Sequence, residues 1–190
     1  MNTFREHSPK RTCSKVYKNY RDYKPYLATD FANRCGYTNC PDTWFGGVDN
    51  FHIDHFIPWK KYPKSPGLET DYSNLVYSCS YVNISKSNDE GQYLDPCNED
   101  YNKHFSRDTY GNIIPNAQSV KAVYMHKKLK LYLKRYQVIW MLDKLETKLQ
   151  ELSELRQSKT LTGTASNKIN TMIADLVQEY FQYRKYLRTV

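Results

Sequence analysis

Asp54 and His55 are adjacent, and Asn83 and Lys86 follow some thirty residues on. Together these four types can do one kind of chemistry. Phosphodiester hydrolysis needs a water that loses a proton, a hard divalent ion at the scissile phosphate and departing oxygen, and a cation that steadies the backbone. His55 can be the general base, because imidazole titrates near neutral pH. Asp54 offers a hard oxygen suited to magnesium or manganese, and Asn83 offers an amide oxygen. Lys86 lies three residues after Asn83, on the same face of a helix, and can meet phosphate. Taken singly, each residue also has a plain structural reading. Asp54 and His55 can form a turn pair, and Asn74 can cap the segment after it.

The surrounding pattern supplies the elements that must hold these side chains. FHIDHFIPW is a short aromatic and aliphatic run ended by Pro58, which predicts a strand leaving into a loop. His52, in that run, reads as a strand residue with a polar face or as a third site residue, and the former is preferred. Residues 60–73 form a polar loop, NLVYSCS (74–80) a short strand or helix entry, and SYVNISKSN a short helix. Residues 34–50 are rich in Gly, Pro, Asn and Asp and read as turns. Upstream, Tyr17, Tyr20, Tyr23 and Tyr26 repeat every third position, with Lys15, Lys18, Arg21 and Lys24 in the same step. That repeat predicts a helix over 15–26, stopped near Pro25. Its tyrosines would pack on the core and its charges face solvent, or else phosphate.

The C-terminal part is different in kind. Gly and Pro are absent from about 117 to 157, where Val138, Leu142, Leu145, Leu149 and Leu152 mark a heptad seam. A break at SKTLTGTASN precedes a second stripe of Ile169, Ile173, Leu176, Tyr180, Tyr183 and Leu187. A helical hairpin is expected. It can pack within the chain, which is the simplest reading, pair in a homodimer, or dock a partner.

Bulk properties narrow the classes. The 190 residues fit a compact domain or a small core with one appended module. No apolar run reaches the roughly 18 residues of a membrane helix, and Met1–Lys15 lacks the apolar core of a signal peptide, so a cytoplasmic protein is the default expectation. The net charge of +8 and pI of about 9.1 favour polyanionic partners. The 18 tyrosines suit core edges and stacking on bases. The five cysteines are an odd number without an export signal, which favours metal ligation or burial over disulfides.

D-H-x-x-P, then N-L, then Asn nine residues after that first Asn and Lys three later closely resembles the HNH endonuclease family over residues 52–88. A looser likeness runs from Cys35 to about Gly111, where YLDPCNEDYNKHF and RDTYGNI are similar to one HNH subgroup. The resemblance implies an α+β fold: a small ββα-metal core with an N-terminal helix over 1–115, followed by the helical hairpin over 116–190. It implies that His55 activates the attacking water, that Asp54 and Asn83 hold one divalent ion (Mg²⁺ or Mn²⁺), and that Asn74 braces the loop presenting His55. Lys86 would support the phosphate or leaving group, and Lys60, Lys61 and Lys86 are the expected nucleic-acid contacts.

Many HNH proteins also hold a structural zinc with two CxxC pairs. Here the first is stretched to Cys35-x4-Cys40, and the second is broken after Cys79 by Ser80, Tyr81 and Val82. A zinc site then needs a fourth ligand. Cys97 is the first candidate and His104 the second; the alternative is that the zinc is lost and the cysteines are buried small hydrophobes. The substrate expected from the family is DNA, cut to 5′-phosphate and 3′-hydroxyl ends, with RNA cleavage by the same centre left open. A core with a helical tail resembles anti-phage effector nucleases that work beside an ATPase. The non-enzymatic alternative is a zinc-stabilised nucleic-acid-binding or adaptor module whose helices recruit a partner.

Overall fold

The structure is a computed structural model that describes residues 2–157 and 162–189. In chain order its elements are β1 (Asn2–Thr3), α1 (Lys24–Asp30), β2 (His52–His55), β3 (Leu75–Ser78), α2 (Ser80–Lys86), β4 (Phe105–Arg107), β5 (Ile113–Pro115), α3 (Val120–Lys128), α4 (Lys134–Gln157) and α5 (Gly163–Leu187), with several short 3-10 turns between them. The chain divides into two compact units, Met1–Leu133 and Lys134–Val190.

In the first unit, the run before Pro58 forms β2 and pairs antiparallel with β3 in the register His52↔Ser78, Asp54↔Val76 and His55↔Leu75. Leu75, Val76, Tyr77 and Ser78 are all buried. A strand hidden on both faces reads as a continuous run and not as an alternation, which is why LVYS also looked like a helix entry. Helix α1 buries Leu27 and Ala28, and α2 follows β3 directly. The result is two antiparallel strands and a helix.

The N-terminal helix differs from the prediction. It begins at Lys24 with Pro25 in its first turn, where a missing N–H costs nothing and the fixed φ is already helical. Pro25 starts the helix that it was expected to stop. The tyrosine repeat before it closes on itself through the Tyr20–Tyr23 turn. Tyr17 and Tyr23 meet edge to face at 5.0 Å, and the Tyr17 and Tyr26 hydroxyls lie 2.9 Å apart.

A second sheet, in the order β1-β4-β5, joins the extreme N-terminus to the segment after α2. It carries the aromatic cluster Phe4, Tyr101 and Phe105, with ring centroids 5.5–5.7 Å apart. RDTYGN is the turn between β4 and β5, closed by Asp108 accepting from the Tyr110 and Asn112 backbone N–H groups. Helix α3 completes this unit, burying Ala122 and Met125, with His126 Nε2 3.0 Å from the Ile113 carbonyl oxygen. The first unit therefore extends to Leu133, beyond the boundary at 115 expected from the sequence. Neither Gly nor Pro marks the break after α3; Lys130 takes it at φ 53°.

The second unit is the helical hairpin. Val138, Leu142, Leu145 and Leu152 of the heptad seam are buried and Leu149 is half-buried. On α5 only Ile169 of the stripe is buried, and Ile173, Leu176, Tyr180, Tyr183 and Leu187 are half-buried. Lys134 over the Tyr186 ring at 4.8 Å and the Tyr180–Glu146 hydrogen bond at 2.9 Å show that the helices run antiparallel. Of the expected break, residues 158–161 lie outside the described residues, and α5 already begins at Gly163, with the Thr162 hydroxyl capping Ala165 N.

Candidate active site

Strand alternation gives His52 and Asp54 the same side of β2. Helical spacing gives Asn83 and Lys86 one face of α2, and the two faces meet. Lys86 is wholly buried, and its ammonium lies 3.2 Å from Asp54 and donates to the His55 carbonyl oxygen at 2.8 Å. Tyr37 donates to Asp54 Oδ2 at 2.6 Å, an oxygen that Lys86 also faces. Burial raises the Asp54 carboxyl and Lys86 opposes it, leaving it at about 6. Lys86 thus faces a carboxylate and not solvent. A buried ammonium needs a counter-charge more than an exposed phosphate would.

His52 is 3.0 Å from Asn83, Nδ1 to Nδ2. An amide NH₂ only donates, so Nδ1 accepts. Burial, and then Lys24, lower the His52 pKa and keep the ring neutral for that role. The bond leaves Asn83 Oδ1 free. His52, which the sequence reading preferred as a strand residue with a polar face, thus lies against Asn83. The signal was present, because it stands two residues before Asp54 on a strand.

His55 meets a different set of neighbours. Its Nε2 is 2.8 Å from the Glu69 carbonyl oxygen, and an acceptor-only carbonyl requires an N–H there. Nδ1 is therefore the unprotonated nitrogen of the neutral ring. Burial lowers the His55 pKa below its ordinary value, although the Glu69 carbonyl opposes this. Tyr20 packs edge to face on the imidazole at 4.8 Å, and Trp59 lies at 6.2 Å. Asn74 is buried. Its amide accepts from Ile57 N at 2.8 Å and donates to Ile57 O and Leu68 O at 3.0 and 3.1 Å, tying together the ends of the loop that follows His55. Lys60 and Lys61 sit in the exposed Trp59–Lys61 turn, with Lys61 paired to Glu90 at 3.1 Å. Tyr37 carried no motif that could have singled it out, and the three-residue repeat marked Tyr20 only as one of four tyrosines.

The cysteines form an incomplete set. Cys35, Cys40 and Cys79 are buried. Burial alone would raise the Cys35 thiol, but hydrogen bonds from Cys79 and Thr38 bring it down to about 6. Position 82 holds a buried valine. The charged neighbours of Cys97 are Arg11, Asp95, Arg5 and Asp30, and burial pushes its thiol up to about 11. His104 is engaged with Ser119 at 2.7 Å. Among the described residues no three His, Cys, Asp or Glu side chains gather so as to hold a metal, so the four-cysteine zinc site does not fit this arrangement. The loop is secured by arginines instead. Arg5 donates to Gly36 O at 2.6 Å, Arg107 donates to Thr38 O at 2.7 Å, and Arg34 donates to Asn39 O at 3.1 Å. Gly36 has no room for a side chain, because a Cβ there would lie 2.7 Å from the Phe31 ring and 2.8 Å from Val76.

The oxygen donors expected to hold the divalent ion are of the hard kind: a carboxylate that faces a cation and an amide oxygen that has no partner among the described residues.

Among the described residues no helix is long and apolar enough to cross a membrane. No curated protein and no solved structure matches the chain. A family model described as HNH endonuclease matches residues 33–89, the span from the cysteine loop through β2, β3 and α2. Over residues 33–89 the chain is therefore similar to the HNH endonuclease family.

Proposed function

We propose that the chain is a metal-dependent endonuclease that hydrolyses DNA with His55 as its general base. The observation that carries this reading is the Glu69 carbonyl at His55 Nε2, which leaves Nδ1 as the basic nitrogen of a ring whose pKa is lowered. Such a ring is unprotonated at neutral pH and ready to take a proton from water. Asp54 and Asn83 would hold one divalent ion, Mg²⁺ or Mn²⁺. Bound there, the ion supplies charge neutralisation at the scissile phosphate and departing oxygen.

The other side chains position these groups. His52 orients the Asn83 amide, and Asn74 fixes the loop after His55. Lys86 and Tyr37 hold the Asp54 carboxylate. Lys60 and Lys61 are the exposed cations on the same turn as Trp59 and supply phosphate contacts. By the resemblance already noted, the biological role is that of an anti-phage effector beside an ATPase. The exposed Phe181 and Tyr186 of α5 offer that partner an apolar surface.

The test is incubation of the purified chain with supercoiled plasmid and with a folded RNA, in Mg²⁺, in Mn²⁺ and in EDTA. Nicking of the plasmid that EDTA stops is the expected outcome. Cutting of RNA alone would reassign the substrate, and cutting of neither in any metal would favour a binding module.

A further inference from the structure

The imidazole of His55 has two aromatic neighbours from separate parts of the chain. Tyr20 lies in the N-terminal turn, outside the residues that match the family. Trp59 lies in the turn after β2. Both rings are half-buried, and each has an exposed cation loosely above it: Arg21 over Tyr20 at 5.7 Å and Lys60 over Trp59 at 5.7 Å. Those separations are near the outer limit of a cation–π contact, so either cation can turn to a phosphate at little cost. Tyr20 also differs from the rest of its repeat. The hydroxyls of Tyr17, Tyr23 and Tyr26 are all hydrogen-bonded within the repeat, whereas among the described residues the Tyr20 hydroxyl has no partner and its ring alone reaches the site.

We propose that Tyr20 and Trp59 form a stacking platform for an unpaired nucleotide next to the scissile phosphate, with Arg21 and Lys60 gripping the flanking phosphates. The inference rests on reading His55 as the place where the phosphodiester is cut. A base inside a duplex has both faces covered by its neighbours, so it cannot lie on a protein ring. A base in a single strand, flap or bubble can, and stacking of this kind is sequence-tolerant. Two aromatic rings beside the general base that activates the attacking water therefore select for strand state and not for sequence. The substrate class is DNA with unpaired nucleotides at the cut.

The experiment measures binding apart from cutting. Fluorescein-labelled single-stranded 15-mers and the matching hairpin duplex are titrated with the full chain in EDTA, by anisotropy, for wild type, Tyr20→Ala, Tyr20→Phe and Trp59→Ala. Thermal unfolding of each variant confirms that it is folded. Wild type is expected to bind the single strand more tightly than the duplex. Tyr20→Ala and Trp59→Ala each weaken single-strand binding about tenfold or more and leave duplex binding within about twofold; Tyr20→Phe retains wild-type affinity. Equal loss on both probes, no loss on either, or preference for the duplex overturns the platform. If the plasmid and RNA assay shows no cutting while these variants still lose single-strand binding selectively, the nuclease reading fails and the platform stands.

Discussion

Two places in the first unit are built to face a cation, and the chain's own basic side chains stand at both. Between β2 and α2, the Lys86 ammonium lies against the buried Asp54 carboxylate. At the cysteine loop, Arg5 and Arg107 grip the carbonyl oxygens of Gly36 and Thr38. The difference lies in what is gripped. Asp54 is a charged oxygen donor with Asn83 Oδ1 on the facing helix, so its counter-cation is exchangeable in kind with a divalent ion. The loop carbonyls are neutral and point at guanidinium groups outside the cysteine set, while a valine fills the fourth thiolate position. One region sets a charged oxygen donor against a cation, and the other sets neutral carbonyl oxygens against guanidinium groups.

The largest effect should come from breaking the architectural region. Arg107 is wholly buried and donates to Thr38 O and to Gly111 O at 2.6 Å. Arg107→Met leaves both carbonyls without that donor and should cost about 3–5 kcal/mol, read as a lower urea midpoint at unchanged slope. A loss below about 1 kcal/mol would show that the loop does not depend on this arginine.

The catalytic region should respond in pH. Burial holds the Asp54 carboxyl up at about 6, with Lys86 opposing. Lys86→Met removes the opposing charge, so the carboxyl rises further and the ionised form is reached only at higher pH. The acid limb of the cleavage profile should move upward by about a unit or more. For wild type the sign is the reverse of that for an aspartate whose pKa is depressed by an exposed ion pair. The folded value lies above the unfolded one, so Asp54 contributes stability fully present below the unfolded pKa and lost as pH rises from about 4 through about 6. An unmoved limb in Lys86→Met would show that the ammonium does not govern this carboxylate.

Zinc sharpens the contrast from the other side. Val82→Cys supplies the missing thiolate beside Cys35, Cys40 and Cys79, and should raise zinc to about one per chain by metal analysis of protein purified without chelator. Wild type that already carries one per chain would place the fourth ligand elsewhere. The smallest effect belongs to the exposed turn. Lys60→Ala should weaken DNA binding less than about tenfold and flatten the logarithmic salt dependence by about one; an unchanged slope would remove Lys60 from the phosphate contacts.

The site was legible to the extent that its logic is local. Alternation over HIDH and the three-residue step from Asn83 to Lys86 fix which side chains share a face, and the family spacing named them. The burial of Lys86 against Asp54 was not legible, because sequence shows charge and not burial. An ammonium three residues from Asn83 looks alike whether it meets phosphate or Asp54. Tyr20 and Tyr37 reach the site only through tertiary folding, so the spacing of the tyrosine repeat does not tell Tyr20 from its neighbours and nothing marks Tyr37. The helix at Pro25 was misplaced because proline stops a helix when interior and starts one when in the first turn.

The most direct measurement is the initial cutting rate of His55→Ala against wild type, in Mg²⁺ and in Mn²⁺, with DNA affinity measured in parallel in EDTA. The expected result is a rate at least about 100-fold lower with affinity within about twofold. His55→Ala protein that is folded, binds DNA and cuts within about tenfold of wild type would contradict the assignment of His55 as the base.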